Sequence, residues 1–202
     1  MRVIVYVDGF NLYFGMKSKY KNVKWLNIHS LALKLLKPNQ ELVNVKYFTA
    51  RIANNGNNKE RRQSLYLDAL NTTDIEIYYG HYNSKPKECF SCGNIIKDNE
   101  EKMTDVNIAT QMIIDGFTDQ YDLAMLISGD SDLVPPIREI KNHLPEKRII
   151  VAFPPNRITK SLKKEAHGNF IIGKSKLSTS QFPNTIEIEN GINLIRPIQW
   201  YE

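Results

Sequence analysis

The chain has 202 residues, 42% of them apolar, and a formal net charge of +5. That length suits one domain, or one domain with appendages, and no apolar run approaches the length of a membrane span. The start, Met1-Arg2-Val3-Ile4-Val5-Tyr6-Val7-Asp8, reads as a strand and an acid rather than a signal peptide, so a cytoplasmic protein is expected.

Arg2 to Val7 is the first predicted strand, closed by Asp8-Gly9-Phe10-Asn11. An acid at the carboxyl end of a strand is either an ordinary turn residue or the first sign of a site. Gly9 suits a turn with positive φ, and Asn11 can cap the next segment or turn its amide to a ligand. Asn27 then caps a helix whose Ile28, Leu31 and Leu35 form a stripe and which Pro38 stops. Leu42 to Ala50 is the second strand, and Arg51 leaves its carboxyl end. A helix runs from Lys59 to Leu70, its basic residues serving as a solvated face or as a phosphate path. Asp74 to Tyr79 is the third strand.

Residues 80–101 form a polar insertion that breaks the alternation. It holds His81 and Cys89-Phe90-Ser91-Cys92-Gly93. The two cysteines are too close together to staple a fold. They are either half of a structural zinc clip, with His81 as the nearest third ligand, or two free thiols.

Thr104 to Phe117 is a helix with Thr104 as the expected N-cap and Asp105 in its first turn. Leu123 to Ile127 is a short continuous apolar run, which suits a strand buried on both faces. Ser128-Gly129 ends it, Asp130 and Asp132 follow, and Pro135-Pro136 fit the first turn of another helix. Arg148 to Phe153 is the next strand, with Arg157 beyond it. A helix at 159–166, a strand at 170–172 and an Asn190-Gly191 hairpin complete the pattern.

Strands alternating with helices give an α/β fold: a three-layer α/β/α domain with a mainly parallel sheet. In such a sheet Asp8, Asp130 and Asp132 share the carboxyl edge, where ligands bind. Asp105 reaches that edge from a helix N-terminus. Carboxylates facing one point repel unless a cation lies between them, and hard oxygen donors suit Mg²⁺ or Mn²⁺. A helix start decorated with acids is the plainer alternative.

Three blocks resemble the NYN domain, a branch of the PIN-like metal-dependent ribonucleases. They are Val7-Asp8-Gly9-Phe10-Asn11, Glu101-Lys102-Met103-Thr104-Asp105-Val106 and Leu126-Ile127-Ser128-Gly129-Asp130-Ser131-Asp132. The resemblance implies a PIN-like fold over residues 1–175, with 176–202 a C-terminal extension packed on it. It implies a divalent-metal site of Asp8, Asp105, Asp130 and Asp132 with Asn11 beside it, and RNA, most simply single-stranded, as substrate. Family members often carry a further acid where this chain has Gln111, which implies one metal held firmly and a second only with substrate. On this reading Ser128 orients water or phosphate, and Lys102, Arg51 and Arg157 contact phosphates. The rivals are a non-catalytic nucleic-acid-binding or scaffold module with a vestigial metal site, and a phosphatase acting on small phosphoesters. No membrane partner is expected, and homo-oligomers are left open.

Overall fold

A computed structural model of the chain describes residues 1–52, 58–88, 93–188, 191 and 193–201. Cys89, Cys92 and Asn190 lie outside the described residues. Seven strands form one sheet: β1 (Arg2–Asp8), β2 (Glu41–Ala50), β3 (Glu76–Glu88), β4 (Ile95–Lys102), β5 (Leu123–Ile127), β6 (Arg148–Phe153) and β7 (Gly168–Ile171). Their order is β4-β3-β2-β1-β5-β6-β7. Every neighbouring pair is parallel except β3 with β4.

Strand β1 is central because its side chains are apolar on both faces. Val3, Val5 and Val7 join one core with α1 (Gly9–Lys19), α2 (Ile28–Leu35), α3 (Asn58–Leu70) and α7 (Lys174–Thr179). Ile4 and Tyr6 join the other with α4 (Thr104–Phe117), α5 (Val134–His143) and α6 (Lys160–Glu165). The sheet is thus sandwiched between two helical layers, as the alternation of elements predicts. A small antiparallel ribbon, β8 (Thr185–Glu187) with β9 (Asn193–Ile195), follows the sheet. Phe182, Leu194 and Trp200 from this C-terminal stretch are buried in the first core. Trp25 meets Phe182 at 5.6 Å and Trp200 at 5.9 Å between ring centroids, and its indole N–H donates to the Pro183 carbonyl.

The second core contains one buried polar group of three. Lys46 Nζ donates to the Asp115 carboxylate at 2.8 Å, and the Tyr6 hydroxyl donates to the same group at 2.6 Å. Each charge is neutralised where it is buried, the condition for keeping such a pair. Gln111 accepts from Lys46 at 3.2 Å, so it belongs to this structural network.

Several sequence expectations need revision. Residues 80–101 are largely sheet: β3 and β4 form a long antiparallel ladder from His81 opposite Lys102 to Glu88 opposite Ile95. His81 is seven ladder positions from Glu88, about 23 Å at strand rise. His81 stands at the near end of the ladder, and the two cysteines expected to share a metal with it lie outside the described residues. Thr104 is the first residue of α4, not its cap; Met103 is the cap, in the left-handed conformation at φ 78°. Residues 9–19 form a helix that the sequence did not announce.

Candidate metal centre

Register places the acids. Val7 of β1 lies opposite Ile127 of β5, so both strands end together and present Asp8 and Ser128 at one edge. Asp8 caps α1 by accepting from the Asn11 N–H at 2.9 Å. Its other oxygen accepts from the Ser128 hydroxyl at 2.9 Å. Ser128 is fully buried, and its oxygen also accepts from the Asp130 N–H at 3.0 Å. Its hydroxyl is therefore engaged within the protein, between Asp8 and Asp130. Asn11 is likewise engaged: its carbonyl oxygen accepts from the Gly129 N–H at 3.0 Å. These two residues tie β1's acid to the loop that follows β5.

That loop carries the next two acids. Asp130 accepts from the Asp132 N–H at 3.0 Å, closing a short 3-10 turn at Ser131–Leu133 before α5. Asp130 is half-buried and Asp132 exposed. Neither Gly9 nor Gly129 takes the positive φ expected of Gly9. Both are demanded by close approach instead. A Cβ on Gly9 would stand 2.6 Å from the Tyr47 hydroxyl, and one on Gly129 would overlap the Arg157 carbonyl oxygen at 1.8 Å.

Asp105 arrives from the first turn of α4. The chain reverses sharply out of β4 at Met103, and no side chain of the cap residue closes the helix. Glu101 does so from behind: its carboxylate accepts from the Thr104 N–H at 3.0 Å and from the Thr104 hydroxyl. This brings a fifth acid to the edge. Glu101 stands inside the second of the three sequence blocks, where its position ahead of a helix reads as capping.

The acids act on one another electrostatically. Burial pushes Asp8 up to about 6; the Asn11 and Ser128 hydrogen bonds oppose that, while Asp130 and Glu101 add to it. Asp105 is pushed up to about 7, by burial first and then by Asp8, Asp130, Glu101 and Asp132. The charges of Asp8, Asp130, Glu101 and Asp132 thus all act on Asp105 in the same direction. Among the described residues, no three His, Cys, Asp or Glu already form a ready-made ligand set. The donors are nonetheless of the right kind: hard oxygens whose mutual repulsion a divalent cation relieves. Asp8, Asp105, Asp130 and Asp132 are the residues that could hold it, with Glu101 beside them.

Basic residues flank the same edge. Arg51 follows β2 and lies over the Tyr79 ring, 5.0 Å from its centroid. Lys102 ends β4, next to Glu101. Arg157 follows β6, its backbone against Gly129 and its guanidinium 6.0 Å from the Phe14 ring. By contrast Gln111, six residues beyond Asp105, lies outside the acid cluster on Lys46 and Tyr78.

The family model for the NYN domain matches residues 2–178. The chain belongs to the NYN domain family. A curated relative is 6-hydroxy-3-succinoylpyridine 3-monooxygenase HspA of Pseudomonas putida, 28% identical across this whole chain and 76% of its own length. A crystal structure of a protein of unknown function from Vibrio parahaemolyticus superposes with a TM-score of 0.54 at 21% identity. It covers 86% of this chain and 93% of its own, and shows the fold alone. NYN domains are generally nuclease-like and associated with nucleic acid, and a divalent metal is their usual requirement.

Ser128→Ala removes one hydrogen bond that favours the charged form of Asp8. Asp8 then titrates higher, and its proton competes with metal over a wider pH range. Mn²⁺ affinity at pH 6.5 is expected to fall by about tenfold or more, the scale of a lost partner to a ligand. The loss should shrink by pH 8.5, which calorimetric titration at the two pH values will show. An equal loss at both would mean that Ser128 acts only on loop geometry.

Proposed function

We propose that this NYN-domain protein is a Mg²⁺- or Mn²⁺-dependent phosphodiesterase that cleaves RNA. The observation that supports the reading is the register that ends β1 and β5 together at Asp8 and Ser128, with Asp8, Asp130, Glu101 and Asp132 all raising Asp105. A bound divalent ion would lower the pKa of an attacking water and offset charge on the phosphate. Asp8 and Asp130 are the innermost ligands in this proposal, with Asp105 and Asp132 completing the set directly or through water. Asn11 and Ser128 hold Asp8 and the Gly129–Asp130 backbone in place. Lys102, Arg51 and Arg157 receive flanking phosphates, and the substrate is single-stranded RNA.

The deciding experiment incubates labelled single-stranded RNA with the protein in Mn²⁺, in Mg²⁺ and in chelator, beside a small phosphoester. Cleavage of RNA alone, abolished by chelator, supports the proposal. RNA binding without cleavage would make the protein a binding module; turnover of the small ester alone would make it a phosphatase. The same system tests the rim. With the inactive Asp8→Asn protein, RNA binding should weaken as salt rises, each neutralised phosphate adding about 0.7 to the slope of log K against log salt. Arg157→Ala should lower that slope by one such increment and weaken binding to all sequences alike. An unchanged slope would remove Arg157 from the phosphate path.

A second reading rests on the Pseudomonas putida relative, which aligns with the entire chain. The compound in that relative's name, 6-hydroxy-3-succinoylpyridine, is an aromatic ring with an acidic arm, and an aromatic-lined cavity adjoins the acids here. Chromatography of that compound after incubation with dioxygen and a reductant tests this reading. Unchanged substrate would discard it.

A further inference from the structure

Beside the acid cluster lies a cavity of about 360 Å³ that the metal chemistry does not use. It opens between α1, α3 and the C-terminal Trp200. Its walls are aromatic: Phe10, Tyr13, Tyr47, Tyr66, Tyr82 and Trp200. Two pairs of these rings are braced edge to face, Phe10 with Tyr82 at 6.0 Å and Tyr66 with Trp200 at 5.7 Å. Braced rings offer flat or edge contacts without first losing rotamer freedom. Gln63, also in the wall, is fixed by the Ala50 carbonyl and the Ile52 N–H at the end of β2.

The charge of the lining is one-sided. Lys17, Lys24, Lys59 and Arg62 line the cavity, and no carboxylate among the described residues does. The acids stand just beyond one wall. Gly9 lines the cavity and follows Asp8 directly, and Tyr47, in the same wall, has its hydroxyl pushed up by burial first and then by the Asp8 charge. A ligand seated here would have its ring against aromatic walls, its anion toward the cations of α1 and α3, and one edge toward Asp8.

We propose that this cavity binds a planar aromatic ring carrying an anionic group, next to the metal-binding acids. The volume is at the lower end of the range for small-molecule sites, which suits a ring with one charged substituent. Two sources share that chemistry. One is a nucleotide of an RNA strand, its base in the cavity and the next phosphate over the acids; this source rests on the nuclease reading. The other is a free heteroaromatic acid.

The test is binding to chelator-treated full-length protein, so that it does not depend on cleavage or on metal. Four probes are titrated calorimetrically: adenosine 5′-monophosphate, nicotinate, ribose 5-phosphate and adenosine. At least one ring-bearing anion should bind about tenfold or more tightly than ribose 5-phosphate, which lacks the ring, and than adenosine, which lacks the charge. A preference for the nucleotide assigns the RNA source, and a preference for nicotinate the small acid. Tyr13→Ala and Arg62→Ala, both at partly exposed positions, should each weaken the preferred probe, with their melting temperatures checked against wild type. Ring-bearing anions binding no better than ribose 5-phosphate would overturn the proposal, and so would affinities unchanged in both variants. The Asp8→Asn protein should keep this binding while losing cleavage, so failure of the nuclease reading leaves this result standing.

Discussion

Asp8→Asn is expected to abolish metal-dependent RNA cleavage while making the metal-free protein more stable at neutral pH. The activity side follows from the loss of a charged oxygen at the centre of the acid cluster; a fall on the order of 10³-fold or more is the scale of a lost charge-stabilising group. The stability side follows from burial. Asp8 is 3% exposed and is pushed up to about 6 from an ordinary value near 4. A carboxyl raised on folding binds more protons in the folded state than in the unfolded state. Its contribution therefore falls as pH rises through about 4 to 6 and stays low above that. Two units correspond to about 3 kcal/mol. Asparagine has no charge to desolvate, and its carbonyl can still accept from the Asn11 N–H. Its amide can donate to the Ser128 oxygen, which has a second lone pair beside the one facing the Asp130 N–H. Melting curves without metal should show wild type losing ground to the variant between pH 4 and 7. Adding Mn²⁺ at pH 7.5 should raise the wild-type midpoint and leave the variant unmoved, because only wild type gains binding energy. A variant less stable than wild type at pH 7.5 without metal would show that Asp8 is chiefly a structural helix cap.

The four acids were legible because each stands where a local rule puts it. Asp8 follows a Val-rich run, Asp130 and Asp132 follow a run bounded by Ser-Gly, and Asp105 opens an amphipathic helix. A parallel sheet then brings the ends of β1 and β5 together, since Val7 pairs with Ile127. Glu101 was not legible as a site acid, because the left-handed turn at Met103 that folds it back over Thr104 leaves no signature in a non-glycine residue. Helix α1 was missed for a related reason. Gly-Phe-Asn-Leu-Tyr-Phe-Gly is rich in poor helix formers, so local propensity argues against what tertiary packing enforces. Gly15 shows the packing: a Cβ there would meet Pro154 and the Pro155 carbonyl below 3 Å. The β3–β4 ladder was read as polar insertion because its residues lack apolar alternation, and pairing across a dozen residues is not written locally. The hydrogen bonds of Ser128 to Asp8 and Asp130, and of the Asn11 carbonyl oxygen to Gly129, were not legible, because they join residues more than a hundred positions apart or depend on the turn after β5.

Gly129→Ala is expected to be among the most damaging single-methyl additions in the chain. The new Cβ would lie 1.8 Å from the Arg157 carbonyl oxygen and 2.8 Å from its carbonyl carbon, both backbone atoms that no rotamer change can move. The Thr159 hydroxyl donates to the Gly129 carbonyl and holds the two loops together. Relief therefore requires separating the loop after β5 from the loop after β6. Overpacking against backbone costs about 3 kcal/mol or more. For a chain of this size that lowers the melting temperature by roughly 10 °C. Gly173→Ala is the matched control, because a Cβ there meets nothing within 4 Å and its φ is not positive. Its midpoint should stay within about 1 °C of wild type, as surface substitutions do. If Gly129→Ala were equally silent, the two loops would not be in contact in solution. The consequence for the site is separable from stability. Asn11 accepts from the Gly129 N–H, and Asp130 is the next residue, so a displaced loop moves Asp130 away from Asp8. At a temperature where the variant is fully folded, cleavage and Mn²⁺ affinity should both remain reduced. Recovery of both to wild-type levels there would mean that Gly129 serves stability alone and that the acids tolerate a shifted loop.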